Sequence, residues 1–81
     1  MPSKSVTVGS SVGLHARPAA IIAEAAGGIG STVTINGVDA SSSLMIMTLG
    51  AKFGDTVEVA GDDQADVDKI AGLVEQDLEL D

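Results

Sequence analysis

His15 is the only histidine in the 81-residue chain, and the residues after it have the pattern of a beginning helix. Pro18 stands at the third position of that helix, where its missing N–H costs little. His15 therefore lies at or next to the N-cap, where a histidine is worse than Ser, Thr, Asp or Asn by roughly 1 kcal/mol. A sequence that gives up this stability indicates that something other than stability selected the histidine, although a histidine at a helix start can also merely cap or pack.

The first turn of a helix offers unpaired backbone N–H groups and about half a positive charge, which together bind anions such as phosphate. This field and the guanidinium of Arg17 disfavour the imidazolium and leave the neutral, nucleophilic ring of His15. If the ring accepts a phosphoryl group, the new oxygens meet the N–H groups of the turn and the planar donors of Arg17. Because a phosphorus–nitrogen bond is labile, such a site suits a group that is received and passed on.

Two runs of sequence resemble a known family. The run GLHARPAA at residues 13–20 is very similar to the active-site motif of the histidine-containing phosphocarrier protein (HPr) family of the bacterial phosphoenolpyruvate-dependent sugar phosphotransferase system. The run SSLMIMTLG at residues 42–50 resembles the serine-site helix of that family and its Leu-Gly ending. Chain length, the position of the histidine and the order of elements agree, so the resemblance spans essentially the whole chain.

The resemblance implies a phosphoryl carrier. His15 would accept the group from enzyme I, itself charged by phosphoenolpyruvate, and donate it to enzyme IIA components of sugar transporters. Arg17 and the backbone N–H groups of Ala16 and Arg17 would bind the phosphoryl oxygens. Such a carrier is a substrate of enzymes rather than an enzyme, and it needs no cofactor.

Two other function classes are weighed against the carrier. The second hypothesis is a regulatory binding module of the same fold, which acts by contact through residues 42–49. A catalytic protein is the third hypothesis. It ranks last because the sequence places no evident nucleophile or acid near His15.

The serine cluster leaves two positions for the family's regulatory phosphoserine. Counted back from the Leu49-Gly50 ending, it falls on Ser42. Judged by the two apolar residues that normally follow it, it falls on Ser43. N-capping of the next helix is an equally good role for these serines.

Leu44 and Met47 match positions at which the family presents apolar side chains to its partners. Together with His15 and Arg17 they would form a docking face. Family members often carry lysines on the exposed side of the first helix, where this chain has Glu24 and Gly27. Electrostatic steering toward an acidic partner is then weak, so either the partners have adjusted or apolar contact dominates.

Composition sets the class of protein. We expect one domain over residues 1–81, whose core is small and, since Phe53 is the sole aromatic residue, consists of Val, Ile, Leu, Ala and Met. The chain has no cysteine, which excludes disulfides and fits a reducing compartment. No run has the length of a membrane span and no leader is evident, so we expect a cytoplasmic protein without membrane insertion.

Charge excludes further classes. Twelve acidic residues against four basic ones give a formal charge of −8, which repels nucleic acid, and the chain offers no set of aromatic residues on which bases could stack. One histidine and irregularly spaced carboxylates form no metal-ligand set. We therefore expect a protein that binds neither nucleic acid nor metal. We also expect it to be a monomer.

Hydropathy patterning predicts the order βαββαβα. Alternating strands are predicted at residues 5–8, 31–35 and 55–60, and Asn36-Gly37 predicts a hairpin into residues 38–40. Helices are predicted from His15 to about Ala26, at residues 44–49, and after Gly61-Asp62-Asp63. The last helix carries an apolar stripe of Val67, Ile70, Ala71, Val74 and Leu78.

The second helix is the least determined element, because periodicity alone cannot separate a short helix from a strand at residues 44–49. The preceding serines favour a helix. Four amphipathic strands and three amphipathic helices then predict an α+β two-layer sandwich of split βαβ type, with one wet sheet face. The family resemblance implies the same arrangement, an open-faced sandwich with a four-stranded antiparallel sheet under three helices.

Overall fold

The computed structural model describes residues 2–11 and 13–76, and its elements follow the predicted order. The strands are β1 (Ser3–Thr7), β2 (Val33–Ile35), β3 (Val38–Asp39) and β4 (Thr56–Gly61). The helices are α1 (Ala16–Gly27), α2 (Ser43–Thr48) and α3 (Gln64–Glu75). The second helix, which periodicity alone could not separate from a strand, is thus a helix, α2. Leu78 of the predicted apolar stripe of α3 lies outside the described residues.

The strands form one antiparallel sheet in the order β1-β4-β2-β3. Val6 pairs with Val57 and Ile35 pairs with Val59, so the apolar side chains of three strands share the face that the helices cover. The opposite face is polar and carries exposed Ser5, Thr7, Thr56 and Glu58. The predicted open-faced sandwich is confirmed.

The hairpin between β2 and β3 shows how a local sequence pattern sets the fold. Asn36 and Gly37 have φ angles of 49° and 84°. Two positive φ angles are what a type I′ turn requires, and its twist matches that of the flanking strands. Asn36 also joins the hairpin to β4, because its side-chain oxygen accepts a hydrogen bond from Glu58 N at 2.8 Å.

All four strands differ from their predicted bounds by one or two residues at one end or at both. β1 begins at Ser3 and ends at Thr7, although Val8 N still donates to Asp55 O at 2.8 Å. β2 begins at Val33 instead of residue 31, and the Ser31 hydroxyl donates to Asp66 Oδ2 of α3 at 2.7 Å. β3 ends one residue earlier, at Asp39, and β4 is shifted by one residue, to Thr56–Gly61. Tertiary contacts at the strand ends, which alternation does not reveal, explain these shifts.

The core between sheet and helices is aliphatic. The buried stripe of α3 consists of Val67, Ile70, Ala71 and Val74. In α1, Ile22 and Ala26 are buried, but Ile21 and Ala25 are only partly buried and line a groove that Lys69 of α3 borders. The expected methionine contribution is small, because Met47 packs only at the margin of the core.

The chain leaving β1 approaches the C-terminal end of α3 at very short range. Gly9 N donates to Val74 O at 3.0 Å, and the buried Ser10 hydroxyl donates to Gln76 O at 3.2 Å. A Cβ atom at position 9 would lie 1.8 Å from Glu75 O, so the backbone contact leaves room only for glycine. This contact fixes the start of the segment that leads to His15 against the C-terminal end of α3.

We expect Gly9→Ala to lower the free energy of unfolding by about 1–3 kcal/mol, because the added methyl group forces two backbones apart. Gly72→Ala in α3 is the matched control, since a Cβ atom there meets nothing within 4 Å. Alanine is the better helix former by roughly 1 kcal/mol, so this control should be more stable than wild type. Urea unfolding followed by circular dichroism measures both, and an unchanged stability of Gly9→Ala would contradict the contact.

Candidate functional site

His15 is the N-cap residue of α1, and its side chain is exposed. Its backbone is extended, with φ −113° and ψ −166°, and its carbonyl accepts the first helical hydrogen bond from Ala19 N at 2.8 Å. Within residues 2–11 and 13–76, the imidazole makes no capping hydrogen bond to the helix. The ring is therefore held at the helix N-terminus without bonding the amides of that terminus.

The first turn of α1 presents backbone donors beside the ring. Helical geometry provides no intrahelical acceptor for the N–H groups of Ala16 and Arg17, and Pro18 has no N–H. Both residues are exposed, as His15 is. Arg17 lies in this first turn, at the positive end of the helix dipole, where an anion is favoured. The predicted site residues His15, Ala16 and Arg17 thus lie together at one helix end.

The segment before His15 is fixed by a neighbouring loop. Leu14 N donates to Ala51 O at 3.0 Å, and the Leu14 side chain is buried. Gly13 has a φ of 79°, and a Cβ atom there would lie 2.5 Å from Ala51 O. Only glycine combines this backbone angle with this close approach. The anchored Leu14 places the next residue, His15, at the surface.

The serine cluster divides its roles in the structure. Ser42 is the N-cap of α2, and its hydroxyl oxygen accepts a hydrogen bond from Met45 N at 3.3 Å. Ser43 is the first helical residue, and Ser41 bonds the carboxylate of Asp39. The capping role that the sequence shares among several serines belongs to Ser42.

We expect Ser42→Ala to lower the free energy of unfolding by about 1 kcal/mol, because Met45 N loses its acceptor. Ser42→Asn should retain most of the wild-type stability, since asparagine caps equally well and adds no charge. Thermal and urea unfolding of the two variants provide the measurement. Equal losses in both variants would show that the cap is not what Ser42 contributes.

Asp39, at the end of β3, orders the turn into α2. Its Oδ1 atom accepts hydrogen bonds from the hydroxyl of Ser41 at 2.7 Å and from Ser41 N at 2.9 Å. These bonds, the hydroxyl first, hold the pKa of the Asp39 carboxyl below its ordinary value. The ionised form is therefore part of the folded turn.

We expect Ser41→Ala to raise the pKa of Asp39 toward its ordinary value. A carboxyl whose pKa is lowered by folding stabilises the fold above its unfolded-state pKa, and this contribution is lost as the pH falls through the folded-state pKa. The stability difference between wild type and Ser41→Ala should thus be present at neutral pH and vanish in strong acid. An NMR titration of the Asp39 carboxyl tests the shift, with Ser43→Ala as the variant that should leave it unchanged.

The predicted docking residues differ in exposure. α2 packs against α1, and its buried anchor is Ile46. Leu44 is 67% exposed, whereas Met47 is half-buried at the margin of the core. Met45, which sequence reasoning did not single out, is 43% exposed. Position 44 lies about 200° around the helix from the buried position 46, so the helical period turns it outward. Positions 45 and 47 both lie about 100° from position 46, so the period does not say which of the two methionines is exposed.

Glu24 and Gly27, which stand where members of the resembled family often carry lysines, are both exposed on α1.

No group of three or more His, Asp or Glu residues that could hold a metal ion occurs in the part of the chain that the structure describes. None of the helices in that part has the length and apolar character needed to cross a bilayer.

Comparison with known proteins places similarity over nearly the whole chain. Residues 2–76 match the family profile described as the PTS HPr component phosphorylation site. The phosphocarrier protein HPr of Streptomyces coelicolor is 39% identical over 87 aligned positions, which cover 98% of this chain and 94% of that protein.

Solved structures of phosphocarrier proteins share the fold of this chain. HPr-C-His from Thermoanaerobacter tengcongensis superposes with a TM-score of 0.87 at 25% identity, over 100% of this chain and 99% of that one. A phosphocarrier protein HPr from Bacillus anthracis gives a TM-score of 0.82 at 26% identity, over 89% of this chain and 94% of that one. Sequence and fold thus agree on one set of relatives.

Proposed function

Because the chain belongs to the HPr family of phosphocarriers of the phosphotransferase system, we propose that His15 receives a phosphoryl group from enzyme I and donates it to enzyme IIA components of sugar transporters. The observation that supports this most strongly is the exposed imidazole at the N-cap of α1. A carrier must meet two partners in turn with the same atom. A ring at the end of a surface helix is accessible to both.

In the accepting step, a lone pair of one imidazole nitrogen attacks phosphorus. The phosphorus–nitrogen bond forms while the bond from phosphorus to the donor protein breaks, and the donor keeps that electron pair. The other ring nitrogen retains its proton, so the ring gains positive charge as the phosphoryl group brings negative charge. Donation to enzyme IIA is the same displacement in reverse, with the imidazole as leaving group. No metal, oxidant or reductant enters the balance.

The protein contributes position and electrostatics to this transfer. The amides of Ala16 and Arg17 are held by the helix, so they bind phosphoryl oxygens without rearranging. The guanidinium of Arg17 adds planar, charge-assisted donors. Moderate stabilisation suits a carrier, because a group held too firmly by His15 would not pass on to the acceptor.

The neighbouring surface serves docking in this proposal. Leu44 offers an exposed apolar side chain on α2, and Met47 borders it with its half-buried side chain. Ala16 and Ala20 are exposed small residues in the first half of α1, and they let a partner surface approach the helix closely. Apolar contact then contributes more to binding than charge does on this face.

Incubation with enzyme I and phosphoenolpyruvate should add one acid-labile phosphoryl group to wild type and none to His15→Ala, as read by intact mass. Arg17→Ala should keep the site but slow transfer about tenfold to hundredfold, because one charge-assisted hydrogen-bonding partner is lost. Lys69→Ala is the matched control, since it removes a basic side chain of α3 and should leave the rate unchanged.

Two outcomes would contradict the proposal. If His15→Ala is still modified, another residue carries the group. If wild type binds enzyme I but is not modified, the chain is a regulatory binding module instead of a carrier.

A further inference from the structure

The only aromatic side chain of the protein lies at the surface. Phe53 is 65% exposed, while the core is filled by aliphatic residues. A small protein that leaves its largest apolar side chain in water forgoes the greatest burial that any single residue offers. Aromatic side chains are enriched at the centres of protein interfaces, where they fill pockets of the partner.

The turn at residues 52–55 holds Phe53 in a defined place. Asp55 N donates to Lys52 O at 2.9 Å, and Lys52 N donates to Asp55 Oδ2 at 2.9 Å. Gly54 has a φ of 88°, a backbone angle that favours glycine, and its N–H donates to Val8 O at 3.0 Å. An aromatic ring on such an ordered turn loses little conformational entropy on binding.

This turn borders the segment that carries His15. Ala51, two residues before Phe53, accepts the hydrogen bond from Leu14 N at 3.0 Å. A Cβ atom at Gly13 would lie 2.9 Å from the Cα atom of Lys52. A protein that reaches the ring of His15 therefore also reaches the surface of the turn.

The charges near this surface differ from those of the whole chain. Of the four basic residues, Lys52 lies next to Gly13, and Arg17 lies two positions after His15 in the chain. Asp55 is the acidic residue of the turn, and its carboxylate accepts a hydrogen bond from Lys52 N. Ten of the twelve acidic residues occur from Asp55 onward along the chain. The exposed Phe53 thus has a cationic residue, Lys52, as its chain neighbour in a protein of formal charge −8.

We propose that Phe53 is an anchor for the phosphoryl donor that docks over His15, inserted into an apolar pocket of that protein. The pocket has carboxylates at its rim, opposite Lys52, as charge complementarity requires. This inference rests on the proposed function and adds the turn at residues 52–55 to the docking surface. Phe53 acts in binding alone and contacts no reacting atom.

The test is the steady-state phosphorylation of the full chain by enzyme I and phosphoenolpyruvate, with the chain as the varied substrate. Phe53→Ala should raise KM about tenfold or more and leave kcat and the melting temperature unchanged, because the ring is exposed in the free protein. Phe53→Tyr keeps an aromatic ring and should restore KM to within about twofold of wild type. Lys52→Ala should raise KM less and weaken its dependence on salt, whereas Lys69→Ala should change neither.

The outcomes separate the two proposals. If wild type is phosphorylated and Phe53→Ala has the wild-type KM, the docking role of Phe53 is refuted while the carrier function stands. A lower melting temperature of Phe53→Ala, or a loss confined to kcat, would likewise refute an anchor. If sedimentation shows a wild-type dimer that Phe53→Ala abolishes, the occupant is a second copy of the chain. If enzyme I does not phosphorylate wild type, the carrier function and this inference fail together.

Discussion

The hydrogen bond from Leu14 N to the Ala51 carbonyl is the contact on which the site depends. It joins the segment before α1 to the loop after α2, and this approach is possible because Gly13 has no Cβ atom. The Leu14 side chain is buried, whereas the next residue, His15, is exposed and is the N-cap of α1. The anchored Leu14 thus fixes the position of the solvent-accessible His15 side chain.

The protein trades stability for access on this side of the molecule. His15 occupies the N-cap without a capping hydrogen bond from its side chain to any described residue, and Leu44 and Phe53 leave apolar surface in water. The stability comes from elsewhere, from an aliphatic core between the sheet and three helices and from well-formed caps at Ser42 and Asp63. This division fits a carrier, whose working surface must remain open to successive partners.

The N-cap residues of α1 and α3 treat the backbone amides of the first helical turn differently. In α3, the Asp63 carboxylate accepts from Ala65 N at 2.8 Å and so uses an N-terminal amide internally. In α1, the residue at the same position is a histidine, and its side chain makes no capping hydrogen bond. The residue type at the N-cap thus decides whether the side chain of that residue stabilises the first turn of the helix.

The order of elements, the Asn36-Gly37 hairpin and the place of His15 at the start of α1 were all determined by sequence, because each depends on residues within a few positions of one another. The helical state of residues 43–48 followed from local capping too. Tertiary structure alone decided the contacts between distant segments, such as Gly9 with the end of α3 and Leu14 with Ala51. It also decided that Met47 lies against the core while Met45 and Phe53 stay exposed. Periodicity specifies which side chains are apolar, but which of them are covered depends on how the elements pack.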